Sequence, residues 1–114
     1  MSISIYHNPR WGKSRESVKI LEKSSSSFTI IEYLKTGFTY DELSSLLKKL
    51  NLSPIDIIRI NDNDYKNNHS EDMNDKQLIE LIVKFPKIFE RPIIVKDNRA
   101  VIGRPPENIY KILD

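Results

Sequence analysis

Ser2-Ile3-Ser4-Ile5-Tyr6-His7-Asn8-Pro9-Arg10-Trp11-Gly12-Lys13-Ser14-Arg15 runs from an alternating apolar segment through a short polar loop into a helix-forming segment. The alternation of Ile3 and Ile5 with serine predicts a strand over about 2–7 with both isoleucines on one face. A helix is expected from about Ser14 to Lys23, turning Val18, Ile20 and Leu21 inward. A strand that passes through a polar loop into a helix start makes an anion site, because the first-turn amides lack intrahelical acceptors and the helix dipole is positive there. Gly12 lets the backbone come close to a ligand, Lys13 and Arg15 add charge, and Ser14 can cap the helix or hydrogen-bond the anion. An ordinary strand-to-helix turn with a solvated basic rim fits the same residues.

Outward from that stretch, Ser24-Ser25-Ser26-Ser27 reads as a polar turn and Phe28 to Leu34 as a second strand. Thr39 and Glu42 have capping-box spacing, and Leu43, Leu46, Leu47 and Leu50 recur at helical intervals behind them. Ser53-Pro54 opens a short helix carrying Ile55, Ile57, Ile58 and Arg59. Asn61 to Asn74, rich in Asn and Asp, reads as a polar surface loop. Asn74 is placed to cap a helix with Leu78, Ile79, Leu81, Ile82 and Phe85 on its buried stripe, closed by Pro86. Ile93-Ile94-Val95 suits a central strand, Lys96-Asp97-Asn98-Arg99 a tight turn, and Ala100-Val101-Ile102 a returning strand. Pro105-Pro106 starts a last helix that turns Ile109, Ile112 and Leu113 inward. An initial βαβ unit is parallel and a late hairpin antiparallel, so an α/β fold with a mixed sheet follows.

A chain of 114 residues, 39% hydrophobic, supports one domain over 1–114 with a single core. The net charge of +2 is too small for general nucleic-acid binding, so any anion preference comes from local clustering. Cysteine is absent, which excludes a disulfide framework, a Cys-based zinc site and thiol chemistry by this polypeptide alone. His7 and His69 stand far apart with no cysteine between them, and no metal site is expected. The N-terminus lacks a signal-peptide pattern, and no apolar run approaches the roughly 20 residues of a membrane span, so a soluble cytoplasmic protein without a membrane partner is expected.

His7-Asn8-Pro9-x-x-Gly12-x-Ser14-Arg15 after a first strand resembles the active-site loop of the glutaredoxin-dependent arsenate reductase family. In that family the place of Trp11 belongs to the nucleophilic cysteine. Leu52 to Asn61 (LSPIDIIRIN) resembles the segment of the family's first substrate-binding arginine, Glu90 to Val95 (ERPIIV) the second, and Ile102 to Glu107 (IGRPPE) the third. The resemblance implies a thioredoxin-like, four-stranded mixed sheet with flanking helices and an inserted helical segment. It implies a cis peptide before Pro92, with that proline touching the Asn8 to Trp11 loop. For activity it implies reduction of arsenate to arsenite, with glutathione and glutaredoxin as co-reductants and no bound cofactor.

The same resemblance assigns Arg59, Arg91 and Arg104 to the oxyanion, together with Gly12, Lys13, Ser14 and Arg15, and assigns His7 and Asn8 to the catalytic loop. Arginine suits this role, because its planar fork of donors stays charged and matches a tetrahedral oxyanion such as arsenate, sulfate or phosphate. Trp11 departs from the family. Indole is not a nucleophile, so it neither takes arsenic nor forms a mixed disulfide with glutathione, and the reduction is expected not to run. A weaker resemblance extends to Spx-type transcriptional regulators, which share the fold and bind RNA polymerase. Those carry a Cys-x-x-Cys pair where this chain has Trp11 and Ser14. A non-catalytic oxyanion-binding module and a protein-interaction module are therefore the alternatives to an enzyme.

Overall fold

The computed structural model describes residues 3–24, 27–90 and 92–113. The elements are β1 (Ile3–Tyr6), α1 (Gly12–Lys23), β2 (Thr29–Ile31), α2 (Tyr33–Thr36), α3 (Tyr40–Leu50), α4 (Asn63–Asn68), α5 (Asp75–Lys84), β3 (Ile93–Lys96) and β4 (Arg99–Ile102). Short 3-10 turns lie at Pro54–Ile57, Pro86–Ile88 and Pro106–Lys111. The chain divides into two compact units, Met1–Thr36 with Arg91–Asp114, and Gly37–Glu90.

The first unit is built on a four-stranded sheet of order β2-β1-β3-β4. β1 runs parallel to β2, with Ile5 opposite Ile30, and antiparallel to β3, with Ile5 opposite Ile94. β3 turns back into β4 through Asp97-Asn98, with Asp97 at φ 54°. Ile3 and Ile5 are buried on one face, as their spacing requires, with Leu21 of α1 and with Ile109 and Ile112. Val18, Ile20, Phe28, Val101 and Leu113 pack around this cluster. Lys96 is buried at the end of β3, where its Nζ donates to the Leu113 carbonyl at 3.2 Å.

Two expectations are corrected in this unit. The second strand is shorter than Phe28 to Leu34, because the Glu32 carbonyl accepts from Lys35 N at 2.9 Å and Thr36 N at 3.2 Å and so turns the chain into α2. Tyr33, an aromatic of high strand propensity, is fully buried in that helical turn. α1 starts at Gly12 and its N-cap is Trp11, so Ser14 is not the cap. The last helical segment begins at Pro106 as expected and is of 3-10 type.

In the second unit the capping box at Thr39 is present. Thr39 Oγ1 accepts from Glu42 N at 3.1 Å, and Glu42 Oε1 accepts from Thr39 N at 3.4 Å. α3 buries Leu43, Leu46 and Leu47, and ends where Asn51 takes the left-handed conformation at φ 58°. Asn74 and Gln77 cap α5 reciprocally, each bond 2.9 Å, and Leu78, Ile79, Leu81 and Ile82 are buried behind them. The polar stretch read as a loop contains α4. Asp62 supplies its N-cap by accepting from Asp64 N at 2.8 Å, which lets a helix form without an apolar stripe. Ile58 bridges to Phe89, and the flanking bonds Arg59 N to Ile88 O and Glu90 N to Ile57 O are each 2.7 Å.

Candidate functional site

The loop from His7 to Trp11 leaves the sheet beside β2, where His7 N donates to the Ile31 carbonyl at 2.9 Å and extends the parallel pairing by one residue. Asn8-Pro9-Arg10-Trp11 then closes as a turn, with Trp11 N donating to Asn8 O at 3.1 Å. Asparagine suits the first position of such a turn and proline the second. The Asn8 side chain reinforces it by accepting from Arg10 N at 3.1 Å. Arg15 reaches back from α1 to donate to the Pro9 carbonyl at 3.0 Å.

Ser14 ties the inner side of the loop. It is fully buried, its Oγ lies 2.6 Å from His7 Nδ1, and it accepts from Asn8 N at 3.1 Å. Burial lowers the His7 pKa from its ordinary 6.5; the Glu32 carboxylate acts the other way and the Arg15 guanidinium adds to the lowering. A neutral imidazole with its proton on Nε2 accepts the Ser14 hydroxyl proton at Nδ1, which fits the short contact. His7 and Asn8, at 8% and 4% exposure, thus form the fixed floor of the loop.

Trp11 stands on the outside, 43% exposed, with extended backbone at φ −109° and ψ 130°. Arg10, Gly12, Lys13 and Arg15 are exposed around it. The amides of Gly12, Lys13 and Ser14 precede the first intrahelical bond, which Arg15 N makes to the Trp11 carbonyl at 3.0 Å. No acidic residue occupies the first turn of α1 to compete for an anion.

Gly103 sets how closely α1 approaches the sheet. A Cβ there would lie 2.9 Å from Pro92 Cγ and from Ser17 Oγ, and 3.0 Å from Ile94 Cδ1. Gly103 N also donates to the Pro92 carbonyl at 2.8 Å, and buried Ser17 donates to the Lys13 carbonyl at 3.0 Å. A glycine and a buried serine therefore hold the helix start against β3 and the end of β4. Ser17 does not stand out in the sequence, and Gly103, although it falls in the Ile102 to Glu107 segment, carries no local mark of a packing position beyond its small size.

Of the three arginines, Arg104 is exposed in the first unit, just after Gly103 and before a cis bond to Pro105. Its carbonyl, with that of Ile102, accepts from Asn108 Nδ2 at 3.2 Å and 3.0 Å. Arg59 is in the second unit, half-buried, with Nη1 3.5 Å from Asp62 Oδ2. Arg91, and with it the expected cis peptide before Pro92, lies outside the described residues. Glu32, beside the loop, and Asp62, beside Arg59, belong to no sequence motif. The second was within reach of sequence reasoning, because an aspartate three residues after an arginine is a recurring ion-pair spacing.

Comparison with known proteins fits this architecture. Residues 6–112 match the ArsC family. An arsenate reductase of Haemophilus influenzae is 37% identical over 116 residues, covering 99% of this chain and 100% of that protein. An arsenate reductase of Escherichia coli is 35% identical over 114 residues, covering 98% of this chain and 81% of its own length. The solved structure of an arsenate reductase from Vibrio cholerae matches with a TM-score of 0.93 at 37% identity, over 99% of this chain and 98% of that one. On sequence and fold together, the chain belongs to the ArsC family of thioredoxin-like arsenate reductase relatives.

Proposed function

We propose that this protein is an oxyanion-binding relative of the arsenate reductases that does not reduce arsenate by the thiol route. The single observation behind this reading is Trp11 at the N-cap of α1, in the place the family resemblance gives to the nucleophile, within a loop whose His7, Asn8 and Ser14 are otherwise bonded together. The ligand is a tetrahedral oxyanion such as arsenate, sulfate or phosphate. It is received by the amides of Gly12 to Ser14 with Lys13 and Arg15, and the likeness of their segments supports Arg59, Arg91 and Arg104 as guanidiniums for the same class of ligand. No bound cofactor, nucleic acid or membrane enters the proposal. No described helix is long and apolar enough to cross a membrane, and a cytoplasmic setting belongs to the same reading.

Arsenate reduction with glutathione and glutaredoxin tests it. The protein is expected to give no turnover above the reaction without it, while Trp11→Cys restores a thiol at the positive end of a helix, beside Arg15. That thiol is expected to titrate below the roughly 8.5 of a free cysteine and to support measurable reduction. Turnover by the unmodified protein would refute the cysteine-centred reading. An inert Trp11→Cys variant with an ordinary thiol pKa would favour a binding or protein-interaction role over a reductase scaffold, and the exposed indole beside Arg10 suits an interaction.

A further inference from the structure

We propose that Asp62 is a positioning residue that holds the Arg59 guanidinium ready for the oxyanion, an inference that rests on the reading of Arg59 given above. The Asp62 side chain is only 6% exposed. Its two oxygens have separate tasks. Oδ1 accepts from Asp64 N at 2.8 Å and caps α4, which fixes the carboxylate plane. Oδ2 faces Arg59 Nη1 at 3.5 Å and Lys87 Nζ at 4.0 Å.

The arginine is held at its backbone as well. Arg59 N donates to Ile88 O at 2.7 Å, and its carbonyl accepts from Asp62 N at 3.0 Å. Backbone and side chain of Arg59 are thus referred to the same rigid turn. A long arginine side chain loses much rotamer freedom when it grips a ligand, and a carboxylate that has already ordered it removes that cost from the binding step. Two cations, Arg59 and Lys87, face the one Asp62 carboxylate.

The experiment measures sulfate and arsenate dissociation constants by calorimetry at low salt on the full chain, for the wild type, Asp62→Asn, Arg59→Ala and the double variant. Asparagine caps a helix as well as aspartate does, so Asp62→Asn removes the ion pair and keeps α4 capped. Arg59→Ala is expected to weaken binding roughly tenfold, the scale of a charge-assisted hydrogen bond. Asp62→Asn is expected to weaken it about threefold or more, and the double variant to be no weaker than Arg59→Ala alone, a non-additivity that a purely structural role would not give. Unchanged or tighter binding by Asp62→Asn overturns the proposal, tighter binding marking Asp62 as a competitor for Arg59, and additive losses overturn it too. No effect of Arg59→Ala refutes the underlying reading of Arg59 and this inference with it. If Asp62→Asn does not fold, the wild-type NMR signal of the Arg59 Nη–H groups, which face Asp62, assigned by its loss in Arg59→Ala, decides. A resolved, slowly exchanging signal without anion supports the proposal, and averaging with exposed arginines overturns it.

Discussion

His7 is buried as a neutral imidazole against Ser14, and its lowered pKa carries a signed consequence for stability. Below the ordinary value of 6.5 the unfolded chain takes up a proton on this residue while the folded protein still resists it. The contribution of His7 is therefore complete above 6.5, declines as the pH falls from 6.5 towards the depressed folded value, and changes no further beneath that value. Urea unfolding at pH values stepped from about 7.5 to 5 should show this decline in the wild type and a shallower one in His7→Gln. Equal slopes would dissociate the imidazole from the loop's stability. Gly103 makes the second prediction at this scale. A methyl there would meet the buried Pro92 ring and Ser17 Oγ at 2.9 Å, so Gly103→Ala should destabilise the protein by about 1–3 kcal/mol in denaturant titration. The sequence shows the loop residues as a group, because strand, turn and helix signals meet there. It does not show that Ser14 turns back to His7 and Asn8, since contacts six and seven residues apart depend on how the loop folds.

The helices were legible in proportion to their caps and stripes. α3 and α5 announce themselves through Thr39 with Glu42, Asn74 with Gln77, and leucines and isoleucines at helical spacing. α2 and α4 did not, because each is short and held by one local device, the Glu32 carbonyl in one case and the Asp62 side chain in the other. Propensity and periodicity have little to act on over so few residues. The cap itself can be tested. Thr39→Ala removes the acceptor for Glu42 N and should lower stability by about 1 kcal/mol, while Thr39→Ser, which keeps the hydroxyl, should cost little. Calorimetric melting of both variants measures this, and equal melting temperatures for Thr39→Ala and the wild type would remove the box from the account of α3.

At the scale of the whole molecule, the sheet unites segments from far apart in the sequence. β1 lies between β2, met soon after it, and β3, which follows the whole of Gly37–Glu90. Mixed pairing was readable from the order of strands and helices, and Ile93-Ile94-Val95 as a central strand, whereas the central position of β1 was not, because no local signal specifies a partner so distant. A chain ending at Glu90 lacks β3 and β4, so the amides of Ile3–Tyr6 should lose their hydrogen-exchange protection in it; protected β1 amides would show that β2 alone suffices. The same arrangement has a meaning on the ribosome. At roughly 5–20 residues per second, several seconds separate the synthesis of β1 from that of β3. For that interval an apolar strand, with the His7 to Arg15 loop behind it, waits without its central neighbour, so this is the segment a holding chaperone would meet first.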